Sequence, residues 1–288
     1  MIMKILSAFF IFLLLLPACP VSPAAPDDVN SLILEVHPYL PATELIERFT
    51  PLALYLGEQT GRKVIVEISK DYLSHIDRIG KDQVDLAYMG PASYVKLVDN
   101  YHQKPLLARL EIDGQPFFQG IIITAVNSPI HDLSDLAGKR FAFGDPESTM
   151  SHLVPRFMLI NAGVDIKKLT RRGFLSNHEN VALGVLVGDF DAGAVKEEVF
   201  RHFQNRGLKS LQKTPPISEH LFVTKSTLPG TMIEKLRQAL CNLKNEPNGR
   251  LIMESIKEDM TGMIPAQDHD YDNLREILRA LDKEGIAP

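Results

Sequence analysis

Cysteine is nearly absent from this chain: its 288 residues hold two, Cys19 and Cys241. If Cys19 is acylated or removed with a leader, Cys241 stands alone and no internal disulfide can form. An oxidising compartment is then tolerated without being exploited. Cys241 sits in the helical pattern MIEKLRQALCNL, where a small buried hydrophobe is the plain reading, and we assign it no chemistry. Apolar runs are scarce too: after the N-terminus, no segment approaches the roughly 20 apolar residues of a membrane-spanning helix. Lys and Arg total 31 against 36 Asp and Glu, a net charge of −5. With no basic stripe, nucleic acid is not an expected partner. Walker lysine loop, nucleophile elbow and paired general acid and base are all missing. His178-Glu179 is followed by Asn180-Val181-Ala182, so HExxH is absent, and the other histidines show no metal-ligand spacing. We therefore expect no enzyme, no cofactor and no metal.

What is present begins with an export signal over residues 1–24. MIMKILSAFFIFLLLLPACPVSPAAPDD carries one lysine, an uncharged apolar run from Ile5 to Leu16, then small residues and prolines. Leu16-Pro17-Ala18-Cys19 resembles the lipobox of bacterial lipoproteins, which implies that Cys19 becomes the acylated first residue. Pro17 is an imperfect fit, and cleavage near Ser22-Pro23-Ala24 would instead discard Cys19. Either route takes the protein out of the cytoplasm, to the periplasm or, lipid-anchored, to the outer face of a membrane.

From Ser31 onward strand and helix patterns alternate: LILEVH, ELIERFTPLALYLGEQTG, KVIVEI, YLSHIDRIG, VDLAYMG, ASYVKLV. This order predicts a mostly parallel sheet covered by helices. LLARLEI and FFQGIIITAV add strands around Asp113-Gly114. A second αβ cycle then runs from LSDLAG through KRFAFG, ENVALGVLVG and DAGAV to LKSLQK. About 260 mature residues exceed what one core commonly supports, so two lobes are expected. We place the first lobe at residues 30–122 and 225–288, the second at 123–224, and two adjacent crossing strands near 120–126 and 219–225. Ligands of open α/β sheets sit beyond the carboxyl ends of the strands, which puts a cleft at the turns after LILEVH, DLAYMG, KRFAFG and DAGAV.

One of these turns is chemically specific. In KRFAFGDPESTMSHLVPRFML a strand pattern runs into Gly144-Asp145-Pro146 and then into three hydroxyl residues that open an apolar helix. Ser148 is a candidate N-cap, and Thr149 and Ser151 add hydroxyls beside N–H groups without intrahelical partners. Such donors, with the positive end of the helix dipole, can hold an oxyanion without Lys or Arg. The same residues also make an ordinary capped helix after a tight turn.

FTPLALYLGEQTGRKV, DLAYMGPASYV, NSPIHDLSDLAGKRFAFGDPESTMSHLVPRFMLINAGVD and HENVALGVLVGDFDAGAV resemble the phosphate/phosphite/phosphonate periplasmic binding proteins of ABC importers, over roughly residues 32–280. The resemblance implies the type II periplasmic-binding fold, α/β with two lobes joined by a two-strand hinge. It also implies a monomeric receptor that delivers an oxyanion to an ABC permease and catalyses nothing. By position it implies that Ser148, Thr149 and Ser151 contact the oxyanion, and that Tyr88 and the turn through Ser93 and Tyr94 supply contacts from the first lobe. It gives the His178-Glu179 pair a role at a helix start, where the carboxylate is associated with a ligand amine. The family motif usually has Gly after its last Ser. Here that residue is His152, which either points away from the cleft or narrows it.

Tyr39, after the first strand, and Lys196, after DAGAV, join the candidates by topology. Each has a plain alternative: interface core for Tyr88 and Tyr94, dipole complementation for Glu179, and a solvated helix start for Lys196. A sensory receptor that partners a membrane histidine kinase or chemoreceptor is the alternative to transport, and phosphate, phosphite and phosphonate remain open as ligands. If Cys19 carries the lipid, Cys19→Ser will release the protein from membranes. Metabolic lipid labelling with fractionation checks this, and an unlabelled N-terminus near Ala25 refutes it.

Overall fold

The computed structural model describes residues 31–283; the leader and Cys19 lie outside the described residues. The first cycle folds as its patterns require. β1 (Ser31–Val36), α1 (Ala42–Thr60), β2 (Lys63–Ile68), α2 (Tyr72–Gly80), β3 (Leu86–Met89) and α3 (Pro91–Tyr101) alternate, with β2 and β3 flanking β1 in parallel register. Helix α1 runs without a break through Pro51 and ends at Gly61, whose φ of 74° supplies the left-handed C-cap. Asp71 caps α2 through its side chain, which accepts from the Ser74 N–H at 2.7 Å.

β4 (Leu106–Ile112) ends at Asp113 and Gly114, both at positive φ, and the chain turns into the short β5 (Phe117–Phe118) and then β6 (Gly120–Ala125). The second cycle comprises β7 (Arg140–Phe143), α4 (Val154–Asn161), β8 (Arg171–Phe174), α5 (His178–Leu186), β9 (Ala192–Lys196), α6 (Glu197–Phe203) and β10 (Leu208–Lys213). β11 (Ile217–Ser218), β12 (Leu221–Thr224), α7 (Gly230–Asn242), α8 (Gly249–Ile256), β13 (Met260–Pro265) and α9 (Asp272–Lys283) complete the described chain.

The strands form two separate sheets, in the orders β13-β4-β12-β3-β1-β2 and β10-β6-β9-β7-β8, and a two-stranded ribbon of β5 and β11. This is a two-lobed α/β fold with a hinge of paired strands. Its details correct three expectations. β6 and β12 do not pair; each lies inside a different sheet, and the chain crosses instead at β5 and β11, paired antiparallel through Phe118 with Ile217 and Phe117 with Ser218. Divisions at 122/123 and 224/225 therefore cut β6 and leave β12 with the wrong sheet. The sheets are also more mixed than expected. β12 runs antiparallel between β3 and β4, β13 is antiparallel to β4, and β6 is antiparallel to both β9 and β10. β12 re-enters the first sheet from the other lobe without the crossover helix that parallel pairing requires, so it pairs antiparallel. Strand β13, with the sequence MTGMIP, carries too little alternation to be read as a strand beforehand.

Each lobe has its own core. Leu32, Leu34, Leu45, Phe49, Leu86, Tyr88, Phe222 and Leu240 pack in the first, and Ile121, Ile123, Val181, Val185, Val195 and Phe203 in the second. A third cluster bridges them. Helix α9 touches both α3 and α4, and its Leu274, Ile277 and Leu281 share a buried group with Tyr94, Ile122, Phe141 and Leu159. Cys241 is half-buried beside the first core, and burial raises its thiol pKa, consistent with a packing residue. Phe222 is fully buried on the re-entering β12. Phe222→Ala is expected to cost about 3–5 kcal/mol of stability. Denaturant unfolding measures this; a loss within experimental error would mean that β12 is not the centre of the first core.

Candidate functional site

The carboxyl ends of the strands converge on one narrow, partly open cavity. Sequence position explains why. In the first sheet β1 lies between β2 and β3, so the turns after β1 and β3 diverge and leave a crevice, which is the general ligand position of open α/β sheets. His37 and Tyr39 follow β1, and Gly90 follows β3. From the second sheet come Ser148, Thr149 and Met150 after β7, His178 after β8 and Lys196 at the end of β9, while Phe118 and His220 come from the hinge crossings.

Three helix starts point inward. α3 opens at Gly90 with Pro91 in its first turn; a single π-helical turn, Thr149–Leu153, leads into α4; and α5 starts at His178. Apart from Pro91, which has no N–H, their first residues carry N–H groups without intrahelical partners, and each start is the positive end of its dipole. The Ser148 Oγ is the cap of the π turn and accepts from the Ser151 N–H at 3.2 Å. Thr149 Oγ1 accepts from the Ala92 N–H of α3 at 3.0 Å, which ties the two lobes together and leaves the threonine proton free to be donated. No carboxylate lines the cavity, and Lys196 is the cation among its lining residues.

Lys196 is buried, and burial lowers its pKa; Glu198 offsets that loss across a 2.7 Å ion pair. Glu198 in turn pairs with Arg48 of α1 at 2.8 Å. Although burial opposes ionisation, the two cations hold its carboxyl well below the usual range. The Lys196 ammonium also lies 4.1 Å above the Tyr39 ring. Beyond Phe118 and Lys196 lies a more open space lined by Arg201, Lys257 and Glu219 among others.

Four buried histidines surround these groups, and burial keeps three of them, His178, His220 and His37, neutral. His178 Nδ1 accepts from the Lys196 N–H at 3.0 Å, so its proton sits on Nε2; burial, with Lys196 nearby, lowers its pKa to about 3. His220 Nδ1 lies 2.8 Å from the Glu219 carboxylate. That carboxyl, although buried, is pulled down to about 2, with the Lys257 ion pair as the main cause. An ionised carboxylate only accepts, so the His220 proton is on Nδ1. His37 is buried with neither ring nitrogen hydrogen-bonded; it stacks on Tyr39 at 4.7 Å and lies 5.2 Å from His220, ring to ring. Burial, with His220, His75, Lys196 and His178 around it, pushes its pKa well below 6.5. His75 lies behind it, its Nδ1 3.1 Å from the buried Glu35.

Of the residues singled out from sequence, the structure brings Ser148, Thr149, His178, Tyr39 and Lys196 to the cavity. Four do not line it. The Ser151 hydroxyl donates to the Ala194 carbonyl and its Cβ faces Gly144, so it braces the turn against β9. Tyr88 is core, stacked on His220 at 5.3 Å and packed on Phe49 and Phe222. Ser93 is buried in the first turn of α3 with its hydroxyl unpartnered, beside the cavity wall. Glu179 is half-buried in the first turn of α5, where its charge complements the dipole. His152 points away: its Nδ1 donates to the Pro146 carbonyl at 2.6 Å and its ring packs edge-on against Phe143 and Phe174.

Sequence reasoning missed His37, Tyr72, Phe118, Met150 and His220, while Gly90 belongs to the turn it expected to contribute from the first lobe. His37 directly follows LILEV, and that position after the first strand was the available signal. Tyr72, which hydrogen-bonds Ser148, and the hinge residues gave none. At Gly90 an added Cβ would sit 3.4 Å from the His37 ring, so a side chain there takes up cavity space.

A two-lobed α/β fold of the periplasmic-binding-protein type is the class this architecture defines. The family model described as ABC transporter, phosphonate, periplasmic substrate-binding protein matches residues 34–271, and the chain belongs to that family, one of binding proteins and not of enzymes. It is similar to the phosphate-import protein PhnD of Mycolicibacterium smegmatis, at 30% identity over 95% of this chain and 94% of that one. It is 26% identical to the phosphonates-binding periplasmic protein of Escherichia coli over 73% of this chain and 65% of the relative. In fold it resembles PhnD1 from Prochlorococcus marinus, solved in complex with methylphosphonate, with a TM-score of 0.80, 23% identity and coverage of 88% and 99%. No helix among the described residues is long and apolar enough to cross a membrane.

The neutral histidines set a pH dependence. Their pKa values are depressed in the fold, so the unfolded chain binds protons that the native one refuses. Stability is complete above the unfolded value of 6.5 and falls as pH drops toward the folded values, about 3 for His178 and about 4 for His152. Each such histidine contributes a slope of about 1.4 kcal/mol per pH unit in this window. Urea unfolding between about pH 7.5 and 5 should show the decline, with His178→Gln reducing the slope by one histidine's share. A flat profile would mean that these rings are protonated in the fold.

Proposed function

We propose that this protein is the substrate-binding component of an ABC importer, that it captures a phosphate-like oxyanion (phosphonate, phosphite or phosphate) in the cavity between its lobes, and that the closed form is what a permease receives. The observation that carries the reading is the convergence of three helix starts, a threonine hydroxyl and Lys196 on a cavity that no carboxylate lines. Such a site stabilises concentrated negative charge through fixed dipoles and one ammonium. The relatives named for phosphate import and phosphonate binding, and the methylphosphonate complex of the structural neighbour, support the same ligand class. Phe118, Met150 and Tyr39 crowd the remaining wall, so an anion with a small substituent fits better than a long one. The receptor acts as a monomer, at the membrane through a lipid on Cys19.

We assign ligand contact to Thr149, Ser148, Lys196, His178, Tyr39 and His37, and a bracing role to Ser151. Calorimetry with phosphate, phosphite and methylphosphonate tests this. Thr149→Ala should weaken binding about ten- to a hundredfold, the worth of a hydrogen bond to a charged ligand. Ser151→Ala should instead cost about 1–3 kcal/mol of stability by orphaning the Ala194 carbonyl, with little change in affinity. In a thermal-shift screen the correct anion at about 100 times its Kd should stabilise by about 2.7 kcal/mol. No stabilisation by any phosphorus oxyanion, or unchanged affinity in Thr149→Ala, would overturn the assignment.

A further inference from the structure

The donors that line the cavity explain how it takes an anion, but not why two of its faces are acceptors. His220 is fixed as one. Its Nδ1 proton is committed to Glu219, whose carboxylate is pinned by the Lys257 ion pair and accepts the His220 N–H as well, at 2.8 Å. The remaining nitrogen, Nε2, is therefore a bare lone pair, and it faces the space over Gly90, 3.8 Å from where a Cβ would stand. His37, on the same side, has two buried nitrogens without partners, one of which must be an acceptor in either neutral tautomer. A fully ionised oxyanion has only lone pairs to offer these rings.

Resting on the receptor reading above, we propose that His220 selects the protonated, singly charged form of its oxyanion: one ligand oxygen keeps its hydrogen and donates it to His220 Nε2, while the other oxygens accept from Thr149, His178 and Lys196. Hydrogen phosphite, hydrogen methylphosphonate and dihydrogen phosphate satisfy this. Sulfate and methanesulfonate, which carry no such hydrogen at neutral pH, do not. Glu219 is the positioning residue that holds the tautomer. The other charged or titratable groups that face His220 are His37 and Tyr39 after β1, Tyr88 on β3, His178 on α5, Lys196 on β9 and Lys257 after α8. Burial above all, then Lys257 and Lys196, disfavours a second proton on the His220 ring and outweighs Glu219, which favours it, so Nε2 stays an acceptor.

Methanesulfonate and singly ionised methylphosphonate have the same charge and nearly the same shape, and they differ in the one hydrogen at issue. Calorimetry on the whole mature protein should find methanesulfonate and sulfate at least about 100-fold weaker than methylphosphonate, because a buried acceptor is left unpaired. Above the second ionisation of methylphosphonate, titrations in two buffers of different ionisation heat should show uptake of nearly one proton per ligand. Affinity for total ligand should fall about tenfold per pH unit there. Glu219→Gln lets the ring place its proton on Nε2 and should narrow the methylphosphonate-to-methanesulfonate ratio at least about tenfold. Unfolding of that variant checks its fold, and the wild-type measurements stand without it. Methanesulfonate within tenfold of methylphosphonate, the absence of proton uptake, or uptake that also accompanies sulfate binding would each overturn the proposal; the last would place the proton on a histidine. Failure of every anion to bind would overturn the receptor reading itself.

Discussion

A buried carboxylate, Glu198, holds two cations that come from opposite lobes, and both the closed arrangement and the charge of the cavity depend on it. Lys196 faces the cavity and Arg48 belongs to α1. A lone ammonium at that depth would lose its proton or destabilise the fold, because desolvation penalises the charged form by several kcal/mol. Glu198 keeps Lys196 ionised and is itself kept ionised by Arg48. The arginine can complete the set only when the lobes are together. Closure and cation are thereby one electrostatic unit.

The same logic of shared satisfaction runs through the other contacts between the lobes. Thr149 takes the Ala92 N–H, Lys96 pairs with Glu147, and Tyr72 bonds Ser148. Each satisfies a group at the mouth of a helix that would otherwise face water in an open form. The hinge suits such motion: β5 and β11 contribute two residues each, paired to one another and to neither large sheet. A short ribbon can bend without disturbing a ladder, whereas crossing strands embedded in the sheets, as expected at 120–126 and 219–225, could not.

The charge of the site is carried with restraint. Dipoles, hydroxyls and neutral imidazoles provide directional hydrogen bonds without a permanent surplus of buried charge, and Lys196 adds the one ammonium of the lining. A lining of this kind favours discrimination by hydrogen-bond geometry over discrimination by net charge. The carboxylate–histidine pairs Glu219–His220 and Glu35–His75 differ in what they do. The first fixes a ring that faces the cavity; the second, with Arg78, stays within the first lobe.

The alternation of patterns from Ser31 to Lys196 determined the αβ cycles, because period-2 and period-3.6 hydrophobicity is local information. The GDPEST turn determined the N-cap at Ser148, because capping depends on one hydroxyl and the N–H groups just after it. Proximity in the fold was decided elsewhere. Ser151 and Thr149 are two residues apart and chemically alike, yet the π turn sends one hydroxyl to the Ala194 carbonyl and the other across to α3. His152 was undecided until the aromatic faces of Phe143 and Phe174 closed around it. His37 and His220 are 183 positions apart in sequence and 5.2 Å apart in the fold, their partnership created by strands that return from the second lobe. Sequence by itself determined the local elements, whose causes span a few residues. Which side chains face the cavity, which protons they carry and where the chain crosses between lobes were set by tertiary packing, because burial and long-range pairing are properties of no single segment.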